Sequence, residues 1–181
     1  FDEVIDSFQD SNEGYFVDCT LGYGGHSSGV LKRYPHLKLI GIDRDDEALN
    51  FSLKRLLEFG NRVELKEGSF SQVLPTLTSK PIVAMLADFG VSSLQLDKKS
   101  RGFAFDSDVL DMRMDSSASL SAYEVVNEYS KEKLEYIFKH YGEVKNYKVV
   151  AQAIINARLK SPIKSAKELS DIILSVSSKK G

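Results

Sequence analysis

The sequence predicts an open α/β fold, a parallel sheet flanked by helices, continued by a helical block. Three observations predict it. Four short apolar runs alternate with helix-compatible stretches, a glycine-rich turn follows the first run, and helix caps with 3.6-residue apolar spacing take over from residue 121 onward.

The first run, residues 15–18, is apolar on both faces and leads into "DCTLGYGGH", which holds Gly22, Gly24 and Gly25. The segment "HSSGVLKRYP" after it is expected to be a helix stopped by Pro35. The second run is residues 37–42. In "DDEALNFSLKRLLEFGN", Ala48, Leu49, Leu53, Leu56 and Leu57 fall on one stripe, and Gly60 is placed to end the helix. The third and fourth runs are residues 63–66 and 82–87. Runs that are apolar on both faces, with a helix between each pair, are the pattern of buried parallel strands joined by right-handed crossovers.

Residues 88–115 are polar and glycine-containing, without a sustained period. Ser121 with Glu124 and Ser165 with Glu168 both fit a capping box, in which serine and glutamate satisfy each other's free backbone N–H groups. Between them, Leu134, Ile137, Phe138 and Tyr141 repeat at helical spacing, as do Val150, Ala153, Ile154 and Ala157. The domains expected are a sheet core over residues 1–109 and a helical insertion over 110–181. No strand is visible after Ala87, so the sheet has four strands and an uncovered edge. Further C-terminal strands are expected to cover it, or a second molecule to pair with it as a homodimer.

A chain of 181 residues, 42% hydrophobic and 28% charged, suits one domain, or a domain with a sizeable insertion, and a single core is expected. The longest apolar run is far too short to span a bilayer, and "FDEVIDSFQD" carries acids where a secretory signal carries bases, so a cytoplasmic protein with no membrane partner is expected. The single cysteine, Cys19, excludes an internal disulfide framework and is expected to be buried and inert. His26, His36 and His140 show no metal-ligand spacing, and no metal site is expected. The net charge of −2 hides an asymmetry. Between residues 139 and 167, seven Lys or Arg face one acid, Glu143, a balance of +6 that suits a polyanion.

A strand, a glycine turn and a helix N-terminus together let a ligand approach backbone N–H groups closely. The pyrophosphate pattern G-x-G-x-x-G fails at its third glycine, where Ser27 stands. Asp43 closes the second strand, where a carboxylate can accept hydrogen bonds from both ribose hydroxyls of an adenosine; the alternative for Asp43 is a helix N-cap. Asp18, Asp43 and Asp88 end three strands and are expected to converge on one crevice, which favours a cationic sulfonium cofactor over a dinucleotide.

In order along the chain, "DCTLGYGGHS", "GIDRD", "EGSF", "ADFGVSSLQLD", "RGFAF", "LDMRMD", "VVNEYS", "YGEV" and "AQAIINAR" closely resemble the bacterial ribosomal RNA small subunit methyltransferase H family. Its members use S-adenosylmethionine to methylate N4 of a cytosine in small-subunit (16S) ribosomal RNA. The resemblance implies a Rossmann-like class I methyltransferase fold with an inserted helical domain that grips ribosomal RNA or the small ribosomal subunit, and additional segments at both ends of the family pattern. It implies cofactor contacts by Gly24, Gly25, His26, Asp43, Phe70, Asp88 and Gln95. The chain departs from the family in "DSDVLDMRMD", which lacks a Gly-Pro, and in "YGEV", where Val144 and Lys145 replace an acid and an arginine.

The N4 amine is a poor nucleophile because its lone pair is delocalised into the ring, so an acceptor on its N–H and an in-line methyl are what catalysis requires. Asp88 is the leading candidate for that acceptor. Asp111 and Asp115, with Arg113 between them, are the alternatives, against a structural ion pair. Phe103 and Phe105 are candidates to stack on an extruded base, against a core role. Tyr123, Tyr141 and Tyr147 are read as packing residues. Arg101, Arg113, Lys145, Lys148, Arg158 and Lys160 are the candidate RNA contacts. Competing functions are a nicotinamide-dependent oxidoreductase, a non-catalytic RNA-binding module, and an amino-methyltransferase acting on DNA or protein.

Overall fold

The computed structural model of the protein describes residues 1–91 and 96–177. The chain forms two compact units, Phe1–Gly90 and Val91–Gly181, each with a buried core of its own where the length suggested a single one. The division falls earlier than the boundary at residue 109 expected from the sequence. The reason is local: residues before 110 are tied to the helical unit, with the backbone N–H groups of Ala166, Lys167 and Met112 donating to the carbonyls of Val109, Ser107 and Arg101 at 3.1, 3.2 and 2.9 Å.

The first unit runs α1 (Asp2–Asp6), β1 (Gly14–Asp18), α2 (Gly25–Arg33), β2 (Leu37–Asp43), α3 (Asp46–Arg55), β3 (Val63–Glu67), α4 (Phe70–Val73) and β4 (Ile82–Leu86). The four strands form one sheet in the order β3-β2-β1-β4, every pair parallel. All four lie where the apolar runs place them. Successive side chains of the central strands point to opposite faces, and both faces are buried. Phe16 and Leu39 pack with Val30, Leu31 and Leu56, whereas Val17 and Ile40 pack with Val73 and Leu77. On the outer strand β4, which pairs with β1, Ile82 and Met85 are exposed.

The third helix departs from the expected stripe. It ends at Arg55 and passes into a 3-10 turn over Leu57–Arg62, in which Gly60 takes φ 53°. Ala48, Ser52 and Leu56 form its buried face, while Leu53 and Leu57 are 54% and 75% exposed. Positions four apart stack along one face, and Ala48, Ser52 and Leu56 are that set, with a polar residue at its centre. Arg62 ends this turn and caps α2: its guanidinium donates to the carbonyls of Leu31, Pro35 and Leu37 at 3.1, 3.2 and 3.3 Å.

The second unit contains α5 (Ala122–Glu128), α6 (Lys131–His140), α7 (Tyr147–Arg158) and α8 (Ala166–Ser177). Ser121 and Glu124 form the expected capping box on α5. At α8, Ser165 Oγ accepts from Glu168 N at 3.0 Å, but the Glu168 carboxylate reaches back to Lys164 N, one residue earlier than a capping box. Val126, Leu134, Val150, Ala151, Ile154 and Ile163 make the core. Tyr141 is not part of it: it is 75% exposed at the C-cap of α6, although its N–H still donates to the carbonyl of Ile137 at 3.0 Å.

Candidate functional site

The carboxyl ends of the four strands are stitched together by backbone hydrogen bonds beyond the ladders. Cys19 N donates to Leu86 O at 2.8 Å, Leu21 N to Ile42 O at 3.0 Å, and Gly68 N to Asp43 O at 2.8 Å. The Asp88 N–H donates to Thr20 Oγ1 at 2.7 Å, fixing the chain that leaves β4 to the chain that leaves β1.

Within this frame the glycine loop is held on both sides. Gly22 N–H donates to Asp43 Oδ2 at 2.7 Å, and Ser52 Oγ donates to Gly22 O at 2.7 Å. Gly22 and Gly24 have φ 51° and 69°, a region that side-chain-bearing residues enter at a cost. A Cβ on Gly24 would also lie 3.2 Å from Ser52 Oγ and 3.3 Å from Leu56, so the loop follows the floor made by α3 closely. Helix α2 starts at Gly25, leaving the N–H groups of its first turn at the loop's end. His26 stacks on Phe1, ring centroids 5.3 Å apart.

Asp43 is not a helix cap. Asp45 fills that position, accepting from Glu47 N at 3.1 Å, while the second oxygen of Asp43 accepts from Asp45 N at 3.0 Å. Each oxygen of the partly exposed Asp43 carboxylate therefore holds one backbone N–H and keeps a second acceptor direction.

Asp18 corrects the expectation of three converging acids. It is 2% exposed and faces inward, accepting from Ser27 Oγ at 2.7 Å and Thr20 N at 3.2 Å. Burial pushes its carboxyl above the usual range, against the pull of those hydrogen bonds. Asp18 braces the start of α2, and of the three expected acids Asp43 and Asp88 remain open at the strand ends. Burial, and then the neighbouring Asp18, pushes up the thiol of Cys19, which is itself buried. Asp88 and Phe89 are exposed, and the Phe89 ring lies 5.9 Å from Phe70. Gln95 lies outside the described residues.

In the second unit the loop acids and arginines are paired. Asp111 takes a bidentate contact from Arg113, with Nε to Oδ1 and Nη2 to Oδ2 both at 2.8 Å, and Arg113 Nη1 donates to Ala118 O at 2.7 Å. The guanidinium holds the Asp111 carboxyl below its usual range, which suits an ion pair and not a proton acceptor. Asp115 accepts from Ser117 N and Oγ at 2.8 and 2.6 Å. Arg101 donates to the carbonyls of Arg113 and Met114 at 3.0 and 3.1 Å. Arg158 donates to those of Val126 and Tyr129, both at 2.7 Å, and so caps α5. Lys145, Lys148 and Lys160 are exposed. Phe105 is 84% exposed and Phe103 half-buried.

Ser52 and Thr20 were not among the candidates read from the sequence. A serine at the centre of a buried apolar stripe is the signal that points to Ser52; Thr20 gives none, because its partner is sixty-eight residues away. Among the described residues, no group of three or more His, Cys, Asp or Glu could hold a metal ion, and no helix is long and apolar enough to cross a membrane.

The model of the MraW methylase family matches residues 1–181. A protein named ribosomal RNA small subunit methyltransferase H from Sulfurovum sp. is 68% identical over 171 residues, covering 94% of this chain and 56% of the relative. Proteins of the same name from Wolinella succinogenes and Aliarcobacter butzleri are 56% and 53% identical, covering 94% and 96% of this chain and 56% and 57% of theirs. The chain thus spans little more than half the length of the curated relatives it matches.

Proposed function

Because this chain belongs to the MraW methylase family, we propose that it binds S-adenosylmethionine and that the protein transfers a methyl group to N4 of a cytosine in small-subunit ribosomal RNA. The observation that supports this most is the Gly22 peptide, held at its N–H by Asp43 and at its carbonyl by Ser52. That clamp fixes a loop whose glycines admit close approach and whose end is a helix N-terminus.

The residues present fit the cofactor's chemistry. Asp43 retains acceptor capacity for ribose hydroxyls, and the carboxylates of Asp43 and Asp88 suit a ligand carrying ammonium and sulfonium charge. Phe70, backed by Phe89, offers an apolar wall. Gly24, Gly25 and His26 supply backbone at the loop and the start of α2, and Gln95 completes the contact set that the family resemblance implies. When bound, the cofactor supplies an electrophilic methyl on sulfur.

This chain's contribution is then positioning. Asp88 is anchored through its N–H to Thr20 while its carboxylate stays exposed, so it can accept an N–H of the target amine and take its proton. Asp111, already bound by Arg113, is a poorer acceptor. RNA phosphates are assigned to Lys145, Lys148 and Lys160; Arg101, Arg113 and Arg158 are occupied by carbonyls and Asp111 and serve the fold of the helical unit. The open outer edge of β4 supports pairing with a further strand or with a second copy in a homodimer. A ribosomal RNA substrate places the protein in the cytoplasm.

The test uses the full-length protein with methyl-labelled S-adenosylmethionine and small-subunit RNA, followed by nucleoside mass spectrometry. N4-methylcytidine that disappears in an Asp88→Ala variant is the expected product. Label on another nucleoside, or none, overturns the assignment.

A further inference from the structure

The turn between α6 and α7 carries more aromatic surface than folding accounts for. Tyr136 and Tyr141 are 54% and 75% exposed, whereas Tyr123 and Tyr129 of the same unit pack against its core. The exposed rings are not independent. Tyr136 lies against His140 with centroids 4.4 Å apart, and Tyr141 meets Tyr136 edge to face at 5.8 Å and 84°. These contacts fix the ring planes while leaving Tyr141 open to solvent.

Cations alternate with them along the same stretch of chain. Lys139, next to His140, places its ammonium 5.7 Å from the centroid of Tyr147 across the turn, and Lys148 places its own 6.0 Å from the same ring. Lys145 is exposed between the two helices. Among the acids, Glu143 lies in the turn, and Glu135 on α6 faces Lys131 at 3.7 Å. The surface is therefore cationic with aromatic faces, a combination that matches one ligand chemistry. Phosphates meet the ammonium groups and unpaired bases meet the rings. A duplex hides its base faces and can use only the charge.

We propose that Tyr141 and Tyr136, with Lys139, Lys145 and Lys148, form a stacking platform for unpaired bases of single-stranded RNA. This rests on the reading of the substrate as RNA and adds to it the strandedness of the segment held. Tyr147 gathers Lys139 and Lys148 over its own ring, and His140 braces Tyr136.

The experiment measures binding of a fluorescent single-stranded oligoribonucleotide to the full-length protein, with the same strand carrying abasic sites and the same strand annealed to its complement. The Tyr136→Ala, Tyr141→Ala double variant is expected to bind the base-bearing strand about tenfold more weakly. It is expected to bind the abasic strand and the duplex as the unaltered protein does, with an unchanged melting temperature because both rings are exposed. Tyr136→Phe with Tyr141→Phe, which keeps the stacking faces, retains affinity. Equal losses on base-bearing and abasic strands, or no loss on either, overturn the platform while leaving the RNA reading intact. If the unaltered protein binds none of the three probes, the RNA reading itself fails and the platform with it.

Discussion

The Ser52 hydroxyl donates to the carbonyl of Gly22 at 2.7 Å from a wholly buried position on α3, thirty residues along the chain. With Asp43 on the N–H of the same residue, it makes the glycine loop a preformed structure. Replacing Ser52 by Ala leaves that carbonyl without its donor beside an apolar floor. We expect a stability loss of about 1 kcal/mol and a several-fold weaker cofactor affinity. Chemical denaturation and calorimetric titration of the full-length protein measure the two. An unchanged affinity would show that the loop keeps its shape without the serine.

Asp43 is expected to matter twice, for the loop and for the ribose. Asp43→Ala should weaken S-adenosylmethionine binding by roughly 1 to 3 kcal/mol, the range of lost charge-assisted hydrogen bonds. Titration calorimetry decides it, and equal affinity removes Asp43 from the cofactor site.

Asp18 predicts a pH dependence. Its carboxyl is raised above the ordinary value of 3.8 by burial, so the folded state keeps a proton that the unfolded chain has already released. Between 3.8 and the raised value the folded state binds more protons, and this group's contribution to stability falls as pH rises. Asp18→Asn removes that titration. The stability of the unaltered protein relative to the variant should therefore fall as pH increases, measured by urea unfolding from about pH 4 to about pH 8. Subtracting the variant cancels carboxylates of the opposite sense, such as Glu64, lowered by Lys66 and Lys80, whose contribution is lost as pH falls. A difference that does not change with pH counts against the raised carboxyl.

Arg158 separates a structural role from RNA binding. Its two carbonyl bonds cap α5, and Arg158→Lys keeps the charge while losing the fork that reaches both Val126 and Tyr129. The melting temperature should fall, with a stability loss of about 1 to 2 kcal/mol, while the salt dependence of RNA binding stays the same. A phosphate role predicts the reverse for Arg158→Gln: a flatter salt slope with normal stability.

Lys145 and Lys148 are exposed and carry the phosphate assignment. Each contact to single-stranded RNA steepens log affinity against log salt by about 0.7, so the double alanine variant should flatten the slope by about 1 to 1.5. Affinity for S-adenosylmethionine should not change. An unaltered slope leaves both as ordinary surface charges.

The sequence alone determined the four strands, the glycine turn after the first, the acid closing the second, the N-terminal capping box of α5 and the family resemblance. Each is a local signal: apolar runs of strand length, residue types that tolerate positive φ, and serine–glutamate pairs three apart all act within a few residues of the chain. Tertiary structure decided what those residues do. Asp18 and Asp43 close neighbouring strands and fall on the same face by alternation, since Asp18 pairs with Gly41 two residues before Asp43, yet one turns inward to Ser27 and the other to Gly22 and Asp45; the segments packed over each carboxylate make the difference. Ser52 became part of the loop only because α3 lies across it, and Arg158 became a cap only because α7 packs near the end of α5. Tyr141 lies at helical spacing from Leu134 and Phe138 yet is exposed, since spacing alone does not say whether another element covers the end of α6. Contacts between residues thirty or more apart depend on how whole elements pack, and no local pattern carries that information.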